Sequence, residues 1–107
     1  MSIALDHVIV SARDARASAR ELGELLGVRW AETGLGPFSP VYVSESLTVD
    51  FIDDDSAFPV QHLAFRVDDA TFDAILRRLR DRGVPFRSRV RGPDDRAVDT
   101  SHGGRIV

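Results

Sequence analysis

Residues 5–28 recur in loose form as residues 60–84, and each copy opens with a histidine at the same point of an apolar segment. Asp6-His7-Val8-Ile9-Val10 aligns with Gln61-His62-Leu63-Ala64-Phe65 at an offset of 55 residues, and Asp14-Ala15 aligns with Asp69-Ala70 at the same offset. One added residue then brings Gly27-Val28 onto Gly83-Val84. A strand-helix-strand unit written twice predicts two modules of one architecture, and a histidine at the matching point of each predicts a shared site between them.

At 107 residues the chain is long enough for one buried core and too short for two, so the modules must share it. The net charge of -3 and the lack of any basic run argue against nucleic acid and an anionic membrane surface as partners. All 14 basic residues are arginine, and lysine, cysteine and asparagine are absent. Schiff-base chemistry, thiolate catalysis, disulfides and thiolate metal sites are therefore excluded. The opening Met-Ser-Ile-Ala-Leu-Asp has neither a basic flank nor a long apolar stretch, so no signal peptide or membrane span is expected and the cytoplasm is the expected compartment.

The alternation of apolar residues predicts a strand over 4–10, with Leu5, His7 and Ile9 on one face and Val8 and Val10 on the other. Asp14 is placed to cap a helix whose stripe is Ala15, Ala19, Leu22 and Leu26, with Gly27 at its stop. A short strand over 28–31, a Gly/Pro loop over 34–40 and strands over 41–43 and 47–52 follow, the last with Thr48, Asp50 and Ile52 on one face. The Asp53-Asp54-Asp55 run has no ligand spacing and is expected as a solvated turn. The second copy predicts a strand from Val60 with Leu63, Phe65 and Val67 beneath a helix and His62, Ala64 and Arg66 on the opposite face. Its helix is expected over 69–82, a strand over 84–86, a polar loop over 87–103, and the start of a strand at Ile106-Val107.

Five segments resemble, in order along the whole chain, the vicinal oxygen chelate superfamily of glyoxalase I, bleomycin and fosfomycin resistance proteins and extradiol dioxygenases. They are Leu5-Asp6-His7-Val8-Ile9-Val10, Leu25-Leu26-Gly27-Val28, Leu47-Thr48-Val49-Asp50-Phe51, Gln61-His62-Leu63-Ala64-Phe65 and Gly103-Gly104-Arg105-Ile106-Val107. The resemblance implies an α+β fold in a single domain over 1–107, made of two βαβββ modules of about 1–56 and 57–107 curled into a cup around one divalent metal. It implies metal ligands at His7 and His62, with Asp50 where the family usually carries Glu. Two imidazoles and a carboxylate suit Fe, Mn, Ni, Co or Zn and leave coordination positions open.

Members of the family continue past the Gly-Gly-Arg segment through a turn and a final strand that supplies a further Glu, and this sequence stops before that turn. The second module is thus expected to be incomplete at its C-terminus, with an open edge covered by a second copy, and a homodimer is expected. Arg66, Phe38 and Trp30 are candidate substrate contacts, Arg66 on the strand face of His62 and the two aromatics at the mouth of the cup. Each also has a plainer reading, as a rim arginine or as core packing. His102 reads as an exposed loop residue.

Three functions fit. One is a glyoxalase- or dioxygenase-like metal-dependent enzyme acting on a small substrate with vicinal oxygens. The others are a metal-free protein that binds a small molecule such as an antibiotic, and a non-catalytic degenerate relative.

Overall fold

Two apolar periodicities build the first half of the chain. In the computed structural model, which describes residues 2–107, period-two alternation forms β1 (His7–Ala12), and 3.6-residue spacing forms α1 (Ala15–Leu26). β2 (Phe38–Tyr42), β3 (Thr48–Asp53) and α2 (Asp69–Asp81) follow, giving an α+β fold with one three-stranded sheet. The strand order is β1-β3-β2, with β1 parallel and β2 antiparallel to β3. No helix among the described residues is long and apolar enough to cross a membrane.

Local chemistry sets the ends of α1. Asp14 is extended, with φ -134°, and its carboxylate accepts the Ala17 N–H at 3.1 Å. The first helical N–H, on Ala15, donates to Asp53 Oδ1 at 2.8 Å, so the last residue of β3 fixes where the helix begins. At the other end Gly27 adopts φ 72°, which a side chain would strain, and Val28 N donates back to the Gly23 carbonyl at 3.0 Å.

One sheet face packs against α1. Val10, Ala12, Val41, Val49 and Phe51 meet Ala15 and Ala19 in a common cluster, and Val41 and Val49 are wholly buried. Burying a valine side chain stabilises by about 1.5–3 kcal/mol, which makes this face the main apolar contribution of the first half. Trp30 lies on the same side: a Cβ built on Gly23 would come within 2.6 Å of the Trp30 Cγ, so the indole lies directly on the helix backbone.

The chain divides into two compact units, Met1–Thr71 and Phe72–Val107. Within the second, Gly83 turns the chain out of α2 at φ 64°. Asp95 accepts both the backbone N–H and the hydroxyl of Ser88, and Arg96 N donates to the Phe86 carbonyl at 3.0 Å, so the polar 87–103 segment is closed on itself. Arg105 donates to Asp73 at 2.7 Å and lies 4.4 Å from the centre of the Phe72 ring, fastening the C-terminal residues to α2.

The structure corrects several expected elements. The first strand begins at His7 and runs to Ala12, because its pairing residues on β3 are Thr48 to Asp53. The strand expected over 28–31 reduces to a single bridge between Trp30 and Val41, and β2 takes in Phe38, Ser39 and Pro40, which were expected in a loop. In the second copy only the helix forms. Residues 60–67 and 84–86 are not strands, since alternation makes a strand only where a second backbone offers a ladder, and none among the described residues does. Ile106 makes one bridge, to Asp99. The Asp53-Asp54-Asp55 run is not simply solvated: Asp53 caps α1, and Asp54 accepts the Ser56 N–H at 2.9 Å.

Gly23→Ala tests the helix-sheet contact. Alanine favours a helix by about 0.8–1.0 kcal/mol over glycine. Overpacking against Trp30 costs about 1–3 kcal/mol. The clash involves the base of the indole, which cannot swing away, so a net loss of stability is expected in urea denaturation. A stabilised variant would show that Trp30 does not lie on the helix.

Candidate active site

The β1-β3 register decides which side chains share the face opposite α1. His7 pairs with Thr48 and Ile9 with Asp50, and neighbours in a ladder point the same way. Across β3, Thr48 pairs with Tyr42, Asp50 with Pro40 and Ile52 with Phe38. The valines between them face the helix, so the remaining positions are free to form a pocket.

That pocket is a cavity of about 350 Å³. Its polar lining is Asp6, His7, Thr48 and Asp50, and its apolar lining is Leu35, Phe38, Pro40 and Tyr42. The size lies within the range of small-molecule sites, and apolar walls with a few convergent polar groups are their usual composition. The Arg29 guanidinium lies 4.3 Å from the centre of the Tyr42 ring, which holds that ring in place. The cavity carries two carboxylates and no arginine, so its field favours a cation or a proton.

His7 Nδ1 lies 2.8 Å from Asp6 Oδ2. That hydrogen bond is the main reason the imidazole holds its proton above the ordinary value of 6.5, with smaller help from the charges of Asp6 and Asp50 and some opposition from desolvation. The effect of Asp50 marks it as near enough for its charge to be felt by His7.

The expected site residues divide into two groups. His7, Asp50 and Phe38 line this cavity together. Trp30 packs on the helix side of the sheet and lines no part of it. His62 and Arg66 are exposed and are not among its lining residues. Among the described residues no group of three or more His, Asp or Glu side chains is arranged to hold a metal ion, so one chain brings together two of the three expected ligands. Sequence reasoning missed Asp6, Tyr42 and Leu35. Asp6 was legible as the immediate neighbour of His7, but strict alternation assigns it to the other face, and it escapes that rule because β1 starts one residue later.

The Asp6–His7 pair makes a pH prediction. Its folded-state pKa is raised, so it stabilises the fold below the unfolded value of 6.5 and the contribution is lost as pH rises through the raised value. Side-chain exposures of 52% and 90% keep the contribution small. Histidine-resolved NMR should place the His7 midpoint above 6.5, with Asp6→Asn lowering it more than Asp50→Ala does. A wild-type midpoint at or below 6.5 would contradict the pairing.

No protein-family model matches the chain, and no curated protein does. Solved structures do. The oxidase ChaP-H2 superimposes with a TM-score of 0.86 at 36% identity, over 98% of this chain and 82% of that one. The oxidase ChaP-H1 superimposes with a TM-score of 0.85 at 37% identity, over 97% of this chain and 83% of that one. At that identity, and over nearly all of its length, the chain belongs to the family of the ChaP-H1 and ChaP-H2 oxidases.

Proposed function

We propose that this chain is a metal-dependent enzyme of the vicinal oxygen chelate type, acting in a dioxygenase-like manner on a small substrate with vicinal oxygens. The observation that carries the reading is the placement of His7 and Asp50 on one sheet face, in one cavity of about 350 Å³. The names of ChaP-H1 and ChaP-H2 favour oxidation over isomerisation.

The donor set fits half of a metal site. His7 Nδ1 is taken by Asp6, while Nε2 has no partner among the described residues and is available as a donor. Asp50 contributes an anionic oxygen from the neighbouring strand. Imidazole with carboxylate suits Fe, Mn, Ni, Co or Zn. A divalent ion bound by His7 and Asp50 would supply Lewis-acid stabilisation of negative charge developing on substrate oxygen. Phe38 and Tyr42 then serve as the walls that bind and orient the substrate.

The third ligand in this reading is His62 from a second copy, in a homodimer. Residues 57–67 make no backbone hydrogen bond to any other backbone among the described residues; Phe65 packs on the core, while Val60, Leu63 and Val67 are exposed. Val60 is 99% exposed and Leu63 42%. An apolar segment with an unpaired backbone is suited to joining another chain's sheet edge. Charge supports the same pairing: residues 1–71 carry twelve carboxylates against five arginines, and residues 72–107 carry nine arginines against five carboxylates. Two copies related by a two-fold axis bring opposite signs together twice.

Subunit complementation tests the arrangement. His7→Ala or His62→Ala alone should lower Mn(II) or Zn(II) affinity tenfold or more in calorimetric titration, since each ligand supplies several kcal/mol. Refolded together, the two variants should regain tight binding, because one site of the mixed dimer keeps both histidines. Tight binding by the separate His7→Ala variant would remove the metal reading. A mixture that binds no better than its parts would place both histidines in a single chain. If none of the proteins binds metal, the acidic, aromatic-walled cavity is better read as a metal-free pocket for a small organic cation.

A further inference from the structure

We infer that Asp6 is a positioning residue that holds the neutral His7 imidazole in the Nδ1–H tautomer, leaving the Nε2 lone pair as the donor presented by the first strand. The inference rests on the reading of His7 as a ligand for its use, but not for its geometry. An ionised carboxylate has no hydrogen to give, so in the 2.8 Å contact between Asp6 Oδ2 and His7 Nδ1 the imidazole must donate. A neutral ring has one N–H only. Once it is spent on Asp6, Nε2 is a bare acceptor.

No other group competes for that choice among the described residues. Asp50 is the remaining charged group whose field reaches the ring, and it makes no hydrogen bond with the imidazole. Thr48, opposite His7 in the ladder, makes no side-chain hydrogen bond to it either. The arrangement is local in sequence, and its geometry comes from the strand boundary: Thr48 N donates to the Asp6 carbonyl at 3.1 Å, which anchors the Asp6 backbone to β3 just before β1 begins. From that anchored position the carboxylate reaches the next residue's ring. Outer carboxylates that orient a ligand histidine in this way are worth about 10–100-fold in metal affinity.

The test separates this claim from the metal reading. Protein labelled with ¹⁵N-histidine, free of metal and held well above the His7 midpoint, is compared as wild type, Asp6→Asn and Asp6→Ala by long-range ¹H–¹⁵N correlation. Wild type should show protonated Nδ1 and unprotonated Nε2. Asp6→Asn should keep that pattern, because its amide oxygen still accepts. Asp6→Ala should lose it in favour of the Nε2–H form. A wild-type ring protonated on Nε2, or an unchanged tautomer in Asp6→Ala, would overturn the inference. Zn(II) titration of the same three proteins should show a 10–100-fold weakening for Asp6→Ala and a smaller one for Asp6→Asn. The expected tautomers without any Zn(II) binding would uphold the role of Asp6 and defeat the metal reading instead.

Discussion

The parallel pairing of β1 with β3 is the constraint on which the rest of the molecule depends. Its register sets Val8 and Val10 beside Val49 and Phe51 on the helix side, and His7 and Ile9 beside Thr48 and Asp50 on the other. A slip of β1 by one residue against β3 would send His7 toward α1 and Val8 and Val10 into the cavity, parting His7 from Asp50 while exposing apolar surface. The apolar face therefore selects the register, and the polar face inherits its geometry from that choice. Val49 and Asp50 are adjacent, and burying the first is what aims the second.

The same strands hold the segments that leave them. Asp53 ends β3 and starts α1 by accepting the Ala15 N–H, so helix and sheet are tied at one residue. Asp54 N donates to the Ala12 carbonyl at 2.9 Å, and Arg13 donates to the carbonyls of Asp54 and Ser56 while lying 4.5 Å from the centre of the Phe58 ring. The chain thus leaves β3 along a path fixed as far as Phe58. Beyond that point Phe65 packs against the core but no backbone hydrogen bond holds the chain until α2, where the Asp68 carboxylate accepts the Thr71 N–H at 2.8 Å. Restraint on both sides of an unpaired apolar stretch distinguishes it from a loose linker and favours its use as a docking strand.

The first repeat was legible because its signals agree. Alternation, the Asp14 cap and the Gly27 stop all specify one structure, and His7 and Asp50 fall on the expected face. The second repeat carries the same signals in residues 60–84, and its helix forms, but a strand depends on a partner that alternation alone does not supply. Pro40 shows the opposite failure: a Gly/Pro-rich stretch read as a loop lies within β2, because a proline needs no N–H where the neighbouring strand does not ask for one. Trp30 departs from the cavity mouth expected of it because Gly23, lacking a side chain, opens a seat for the indole on α1.

The central claim is that His7 and Asp50 form one half of a metal site completed by His62 of a second copy. Anomalous diffraction from crystals grown with Co(II) tests it most directly. The account predicts one strong peak in the cavity, within roughly 2.0–2.2 Å of His7 Nε2 and an Asp50 oxygen, with the imidazole of His62 from the other copy as the third protein ligand. A peak lacking either cavity residue, or found only at His102 on the exposed surface, would contradict it.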